Sequence, residues 1–253
     1  MKKILVSLSA VAISVASIPL FAAFEAHVIN VTARIENALS VNTEPIQYGT
    51  VFPQEALDKR VSLALSQSFL DEQRVDDVKY VIRQKPKCAI TWNNGQNYDP
   101  TSTTSGEPKL DLLDRPIVNC GPAPRQLQTG ETWGPLPLLC PYLSKRPIPT
   151  VSGESNDGSL PAFHQIGQFV GKRWVWNEVD GAMSKALGDI LDIWNLDLKV
   201  PCFKGQCAQD WDKFVTDINP NADPSQYTED PSNEHKIFGC DIWFEVRGIS
   251  PTP

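Results

Sequence analysis

The sequence predicts an all-β protein, two packed sheets with long loops and a short helix, and three observations carry the prediction. Apolar residues recur at period two in one segment after another, the pattern of half-buried strands. Twenty-one prolines and fifteen glycines are spread through 253 residues as turn punctuation, which suits short strands with long connections better than a helical bundle. Each segment shows one apolar face, so about eight to ten strands satisfy one another as a sandwich.

Residues 1–22 read as a secretion signal: Lys2 and Lys3 precede an apolar run to Phe21 that is broken by serines and Pro19 and leads into Ala22 and Ala23. The run is weakly apolar for the ~20-residue span that a bilayer requires. Residues 23–253 are then expected to form a single β-sandwich domain with loop insertions and an N-terminal strand, a candidate donor strand. The stretch Ala26 to Val41 opens that domain, with Ile29, Val31, Ala33 and Ile35 on one face and Val28, Asn30, Thr32, Arg34 and Glu36 on the other. A strand at a new amino terminus is either pinned into its own sheet or free to pair with another chain.

The rest of the chain continues the series. Ile46 to Phe52 reads as a strand before the turn at Pro53, Val61 to Phe69 as the next, then Val78 to Lys85 and, after Pro86, Cys88 to Trp92. Asn93 to Gly134 is rich in Asn, Gly, Pro, Ser and Thr and reads as a long excursion stapled by Cys120. Leu136 to Leu143 resumes an apolar run, Pro147 to Gly158 is a loop, and Gln168 to Trp176 is a strand carrying Trp174 and Trp176. Asp180 to Gly188 is the expected short helix, with Ala182, Met183, Ala186 and Leu187 at helical spacing. Asp189 to Val200 is expected to be the longest strand, Asn195, Asp197 and Lys199 pointing away from its apolar face. Ile237 to Ile249 closes the chain with Phe238, Cys240, Ile242, Phe244 and Val246 on one side.

The formal charge is −7 and becomes more negative once Lys2 and Lys3 are removed. An acidic chain without a basic run argues against nucleic acid and, after signal removal, against a membrane surface. Six cysteines, all beyond the signal, read as three disulfides. Cys202 and Cys207 flank a Gly-containing turn and form the local pair; Cys88, Cys120, Cys140 and Cys240 leave three pairings open.

Motifs for chemistry are missing from the sequence. His27, His164 and His235 are far apart with no H-E-x-x-H pair for zinc, and neither a nucleophile elbow nor a phosphate-cradling glycine loop occurs. Glu154 to Gly158 and Asn177 to Gly181 fail calcium-loop spacing. The expected catalytic, cofactor and metal sets are therefore all empty. Seven tryptophans exceed what a core of this size needs; Trp194 and Trp243 are expected in the core, and Trp133 sits in a Pro/Gly loop where exposure and burial are equally served.

The alanine-ended signal, the step NVTARIENALSV and the segment YGTVFPQEALDKRVSLALS resemble the TasA/camelysin family of secreted matrix proteins over residues 1–85. The resemblance implies a jelly-roll-like β-sandwich that assembles into extracellular fibres of a biofilm matrix, a homo-oligomeric filament in which the N-terminal strand of one subunit completes the sheet of the next. That assigns Ile29, Val31, Ala33 and Ile35 to the assembly strand. Camelysin-like proteins also include metallopeptidases, for which this sequence supplies no zinc motif. A secreted carbohydrate-binding or adhesive sandwich, with an extracellular glycan as partner, is the alternative expectation.

Overall fold

The computed structural model describes residues 34–41, 44–140, 142–144, 160 and 162–251. The chain divides into two compact units, Met1–Ile35 and Glu36–Pro253, and the architecture below is that of the second. In chain order its strands are β1 (Leu39–Val41), β2 (Ala56–Leu65), β3 (Val75–Trp92), β4 (Asn97–Ser105), β5 (Glu107–Leu110), β6 (Pro116–Asn119), β7 (Thr132–Pro135), β8 (Tyr142–Ser144), β9 (Gly167–Val170), β10 (Arg173–Trp176), β11 (Glu178–Ser184), β12 (Leu191–Lys199), β13 (Cys202–Phe203), β14 (Thr228–Glu229) and β15 (Cys240–Pro251). Among the described residues two short α-helices accompany them, α1 (Gln67–Asp71) and α2 (Trp211–Ile218).

The fold is all-β, as the periodicity predicts. One antiparallel sheet runs β1-β2-β12-β8 and a second runs β11-β3-β15, with β4 and β7 flanking the far end of β3. Val61, Leu63 and Leu65 of β2 and Trp194 and Leu196 of β12 meet Val78, Tyr80 and Ile82 of β3 and Val179 and Met183 of β11 in one buried cluster. Each large side chain fully removed from water there contributes about 1.5–3 kcal/mol. The Tyr80 ring lies over Gly181, its partner on β11, where an added Cβ would collide with the ring.

Among the described residues the longest strand is β3, not the segment Asp189 to Val200. Pro86, read as the break between Val78–Lys85 and Cys88–Trp92, sits where the partners change: it is the last residue paired with β15, and from Lys87 onward β4 and β7 take over. A residue without an N–H is tolerated at such a changeover. Its carbonyl still accepts from the Gly106 amide at 2.7 Å.

The helix expected at Asp180 to Gly188 is instead β11 followed by a turn. Glu178–Ser184 pairs residue for residue with β3, and this pairing outweighs a weak helical spacing. The Asp76 carboxylate fixes the turn by accepting from the Ala186 amide at 2.7 Å and the Ser184 hydroxyl at 3.0 Å. The segment expected to continue as a strand to Phe69 breaks at Ser66, whose hydroxyl caps α1 by accepting from the Phe69 amide at 3.1 Å. Ile46 to Phe52 forms no strand. Gln168 to Trp176 is a hairpin, β9 and β10, turning at Gly171 with φ 63°. The excursion after Asn93 is ordered into β4–β7.

Around α2 a smaller cluster joins Phe163, Trp211 and Val215, with Phe214 and Tyr227 packed against it. The Cys202–Cys207 bridge closes the adjacent loop. Among the described residues, no helix is long and apolar enough to cross a membrane.

Candidate functional site

Strand β15 is one of the edges of this sandwich. It pairs with β3 on one side and, among the described residues, with nothing on the other, so a row of backbone donors and acceptors is left unpaired along an edge strand. Its core-facing residues Ile242, Phe244, Val246 and Ile249 stand opposite Gln84, Ile82, Tyr80 and Val78. The β3 partners are at most 1% exposed, yet Ile242 and Phe244 are only half-buried, Val246 is 40% exposed and Ile249 49%. An irregularity between Val246 and Gly248 keeps Ile249 on the same face. The core therefore opens along β15 as an apolar row.

A disulfide fixes one end of this edge. Cys240 at the start of β15 is bonded to Cys140, two residues ahead of β8, the edge strand of the other sheet. Cys88 pairs with Cys120, and Cys202 with Cys207 as expected; the described cysteines leave none free.

The outer face of β15 is charged and internally compensated. Arg83 lies 2.6 Å from Glu178 and 3.1 Å from Glu245, and Arg247 bridges the same two carboxylates at 3.0 and 3.1 Å. Lys85 pairs with Glu107 at 2.5 Å and sits 4.1 Å over the Trp243 ring. Trp243, expected in the core, is 43% exposed, because strand alternation places it opposite Ile242 and Phe244.

On the other sheet, Asn195 and Asp197, expected to face solvent, are buried. Asp197 stands opposite Asp58 and lies 2.7 Å from the Lys199 ammonium, while the Tyr48 hydroxyl donates to the neighbouring Leu196 carbonyl at 3.2 Å. Burial pushes the Asp197 carboxyl above its ordinary range and Asp58 adds to the effect, Lys199 opposing it. Burial likewise raises Tyr48, with Asp197 and Asp58 contributing. Among the described residues no group of three or more His, Cys, Asp or Glu is placed to hold a metal ion.

Of the expected assembly residues, Ile29, Val31 and Ala33 lie outside the described residues. Ile35 is described: it precedes the first strand and is 95% exposed. The end of the same stretch, Leu39–Val41, is β1 and pairs within the chain to Leu63–Leu65. The edge row on β15 was not singled out from the sequence; the signal that bears on it is the apolar alternation of a strand close to the carboxy end of the described chain.

No family model, curated protein or solved structure matches the chain.

Proposed function

We propose that this protein is a secreted structural subunit that assembles head to tail into extracellular fibres, the alternating N-terminal strand of one subunit adding to the open edge of β15 in the next. The observation that carries this reading is the half-open apolar row Ile242, Phe244, Val246 and Ile249 beside an unpaired strand edge. The sequence itself carries a segment of matching pattern: Ile29, Val31, Ala33 and Ile35 repeat at period two ahead of β1. Strand addition supplies backbone hydrogen bonds, while alternate side chains enter the groove and set the register. A donor segment and an acceptor edge at different places on one subunit make a heterologous contact, which need not close and so propagates.

Three disulfides fit an oxidising compartment outside the cytoplasm, in keeping with the secretion signal read from the sequence. The TasA/camelysin resemblance points the same way. Negative-stain microscopy and sedimentation of the purified chain lacking residues 1–22 test the proposal: filaments that form without added ligand are expected, and a stable monomer at high concentration overturns it.

A further inference from the structure

Beyond Pro86, β3 leaves β15 behind and runs on to Trp92, roughly 30 Å along the strand from Ile82. There Trp92 is 39% exposed. It forms one side of a half-open surface cleft of about 470 Å³ lined also by Asn93, Gln128, Thr129, Gly130 and Glu131.

The opposite wall is a turn held from behind. The Gln128 amide donates to Glu131 Oε2 at 2.8 Å and the Glu131 amide to the Gln128 carbonyl at 3.1 Å. The Arg125 guanidinium grips both Glu131 oxygens, at 2.6 and 2.9 Å, and reaches Asp99 at 3.1 Å. Bidentate pairing of this kind fixes geometry as well as charge. The one carboxylate in the lining is thus neutralised and occupied.

What remains on offer is uncharged. The side chains of Gln128 and Thr129 make no hydrogen bond among the described residues, and Asn93 uses its Nδ2 on Gln96 at 2.9 Å while its Oδ1 accepts none. Trp92 faces amide and hydroxyl groups on a rigid turn. A phosphate or sulfate ligand needs a free cation, which this lining lacks; an apolar ligand leaves the amides unpaired. A pyranose ring, with an apolar C–H face for the indole and equatorial hydroxyls for the amides, meets both demands.

We propose that this cleft binds a neutral pyranose unit of an extracellular polysaccharide, stacked on Trp92 and hydrogen-bonded by Gln128, Thr129 and Asn93. The saturated Glu131 leaves the cleft no free acid or base, so the sugar is held and not cleaved. Lying at the far end of β3 from the open edge, the cleft does not depend on assembly, and a fibre displays one per subunit.

Tryptophan fluorescence of the full chain without residues 1–22, titrated with cello-, xylo-, manno-, galacto- and chito-tetraose, tests this. At least one is expected to give a saturable change, weakened about tenfold or more in Trp92→Ala and in Gln128→Ala, with circular dichroism unchanged for Gln128→Ala. No saturable response from any of the five overturns the proposal. So does an affinity that survives both substitutions, or binding only to the acidic polygalacturonate tetramer. Sedimentation of the same variants reports assembly separately, so loss of sugar binding with intact filaments keeps the two readings apart.

Discussion

Tyr80 of β3 donates its hydroxyl to the Asp192 carboxylate of β12, and the same oxygen accepts the Trp194 indole N–H at 2.9 Å. All three residues are buried, so the apolar core holds a polar node that spans both sheets. Burial, reinforced by the bond to Asp192, raises the phenol above its ordinary range and keeps it a donor. Such a node costs more when broken than it contributes when whole.

Tyr80→Phe removes both hydrogen bonds without changing the ring's packing over Gly181. It is expected to lower stability by about 1–3 kcal/mol, read from urea unfolding midpoints at constant slope. A midpoint equal to that of the parent would show that the node does not hold the sheets together.

The three disulfides differ in what they constrain. Cys140–Cys240 closes a loop with a separation of 100 residues and Cys202–Cys207 one of 5. On loop-closure entropy, paired serine substitution of the first costs about 4–5 kcal/mol and of the second about 2. Thermal unfolding of Cys140→Ser/Cys240→Ser and Cys202→Ser/Cys207→Ser should rank them in that order; the reverse ranking would mean that α2 and its cluster depend on the short bridge for packing.

Asp197 gives a pH dependence with a definite sign. Its folded pKa lies above the unfolded value of about 3.9, so on raising the pH the unfolded chain ionises first. The resulting destabilisation is absent below about pH 4, grows as pH rises toward the folded pKa, and is complete above it. Asp197→Asn carries no such term: it should raise the melting temperature at pH 7, with the gain fading below about pH 4. A gain that is flat with pH would assign the effect to packing.

Much of the fold is legible in the sequence because β2 and the first part of β3 keep one wetter face, which writes itself as alternation. The misreadings share a cause: a residue whose partner is distant in sequence. Ala182 and Met183 look helical until β3 pairs with them; Pro86 looks like a terminus until its neighbours change; Asn195 and Asp197 look solvent-facing until the Tyr48 segment folds back beside them. The open row on β15 is invisible for the same reason. Ile242, Phe244 and Val246 alternate like any core strand, and only the absence of a neighbour among the described residues makes them an edge.

The assembly reading separates donor from acceptor, and two variants divide them. Val31→Asp charges the donor strand while leaving β15 intact; Val246→Asp charges the acceptor row at a position already 40% exposed while leaving the donor intact. Each alone is expected to stop filament growth, since every contact needs both parts, and each should remain folded by circular dichroism because the damaged surface faces a neighbour. Mixed in equal amounts, the donor of the Val246→Asp chain still meets the acceptor of the Val31→Asp chain. Sedimentation of the mixture should therefore show dimers that go no further, where either variant alone sediments as a monomer. Unfolding of Val31→Asp would place the alternating strand inside its own subunit, and filaments from Val246→Asp would move the acceptor edge away from β15.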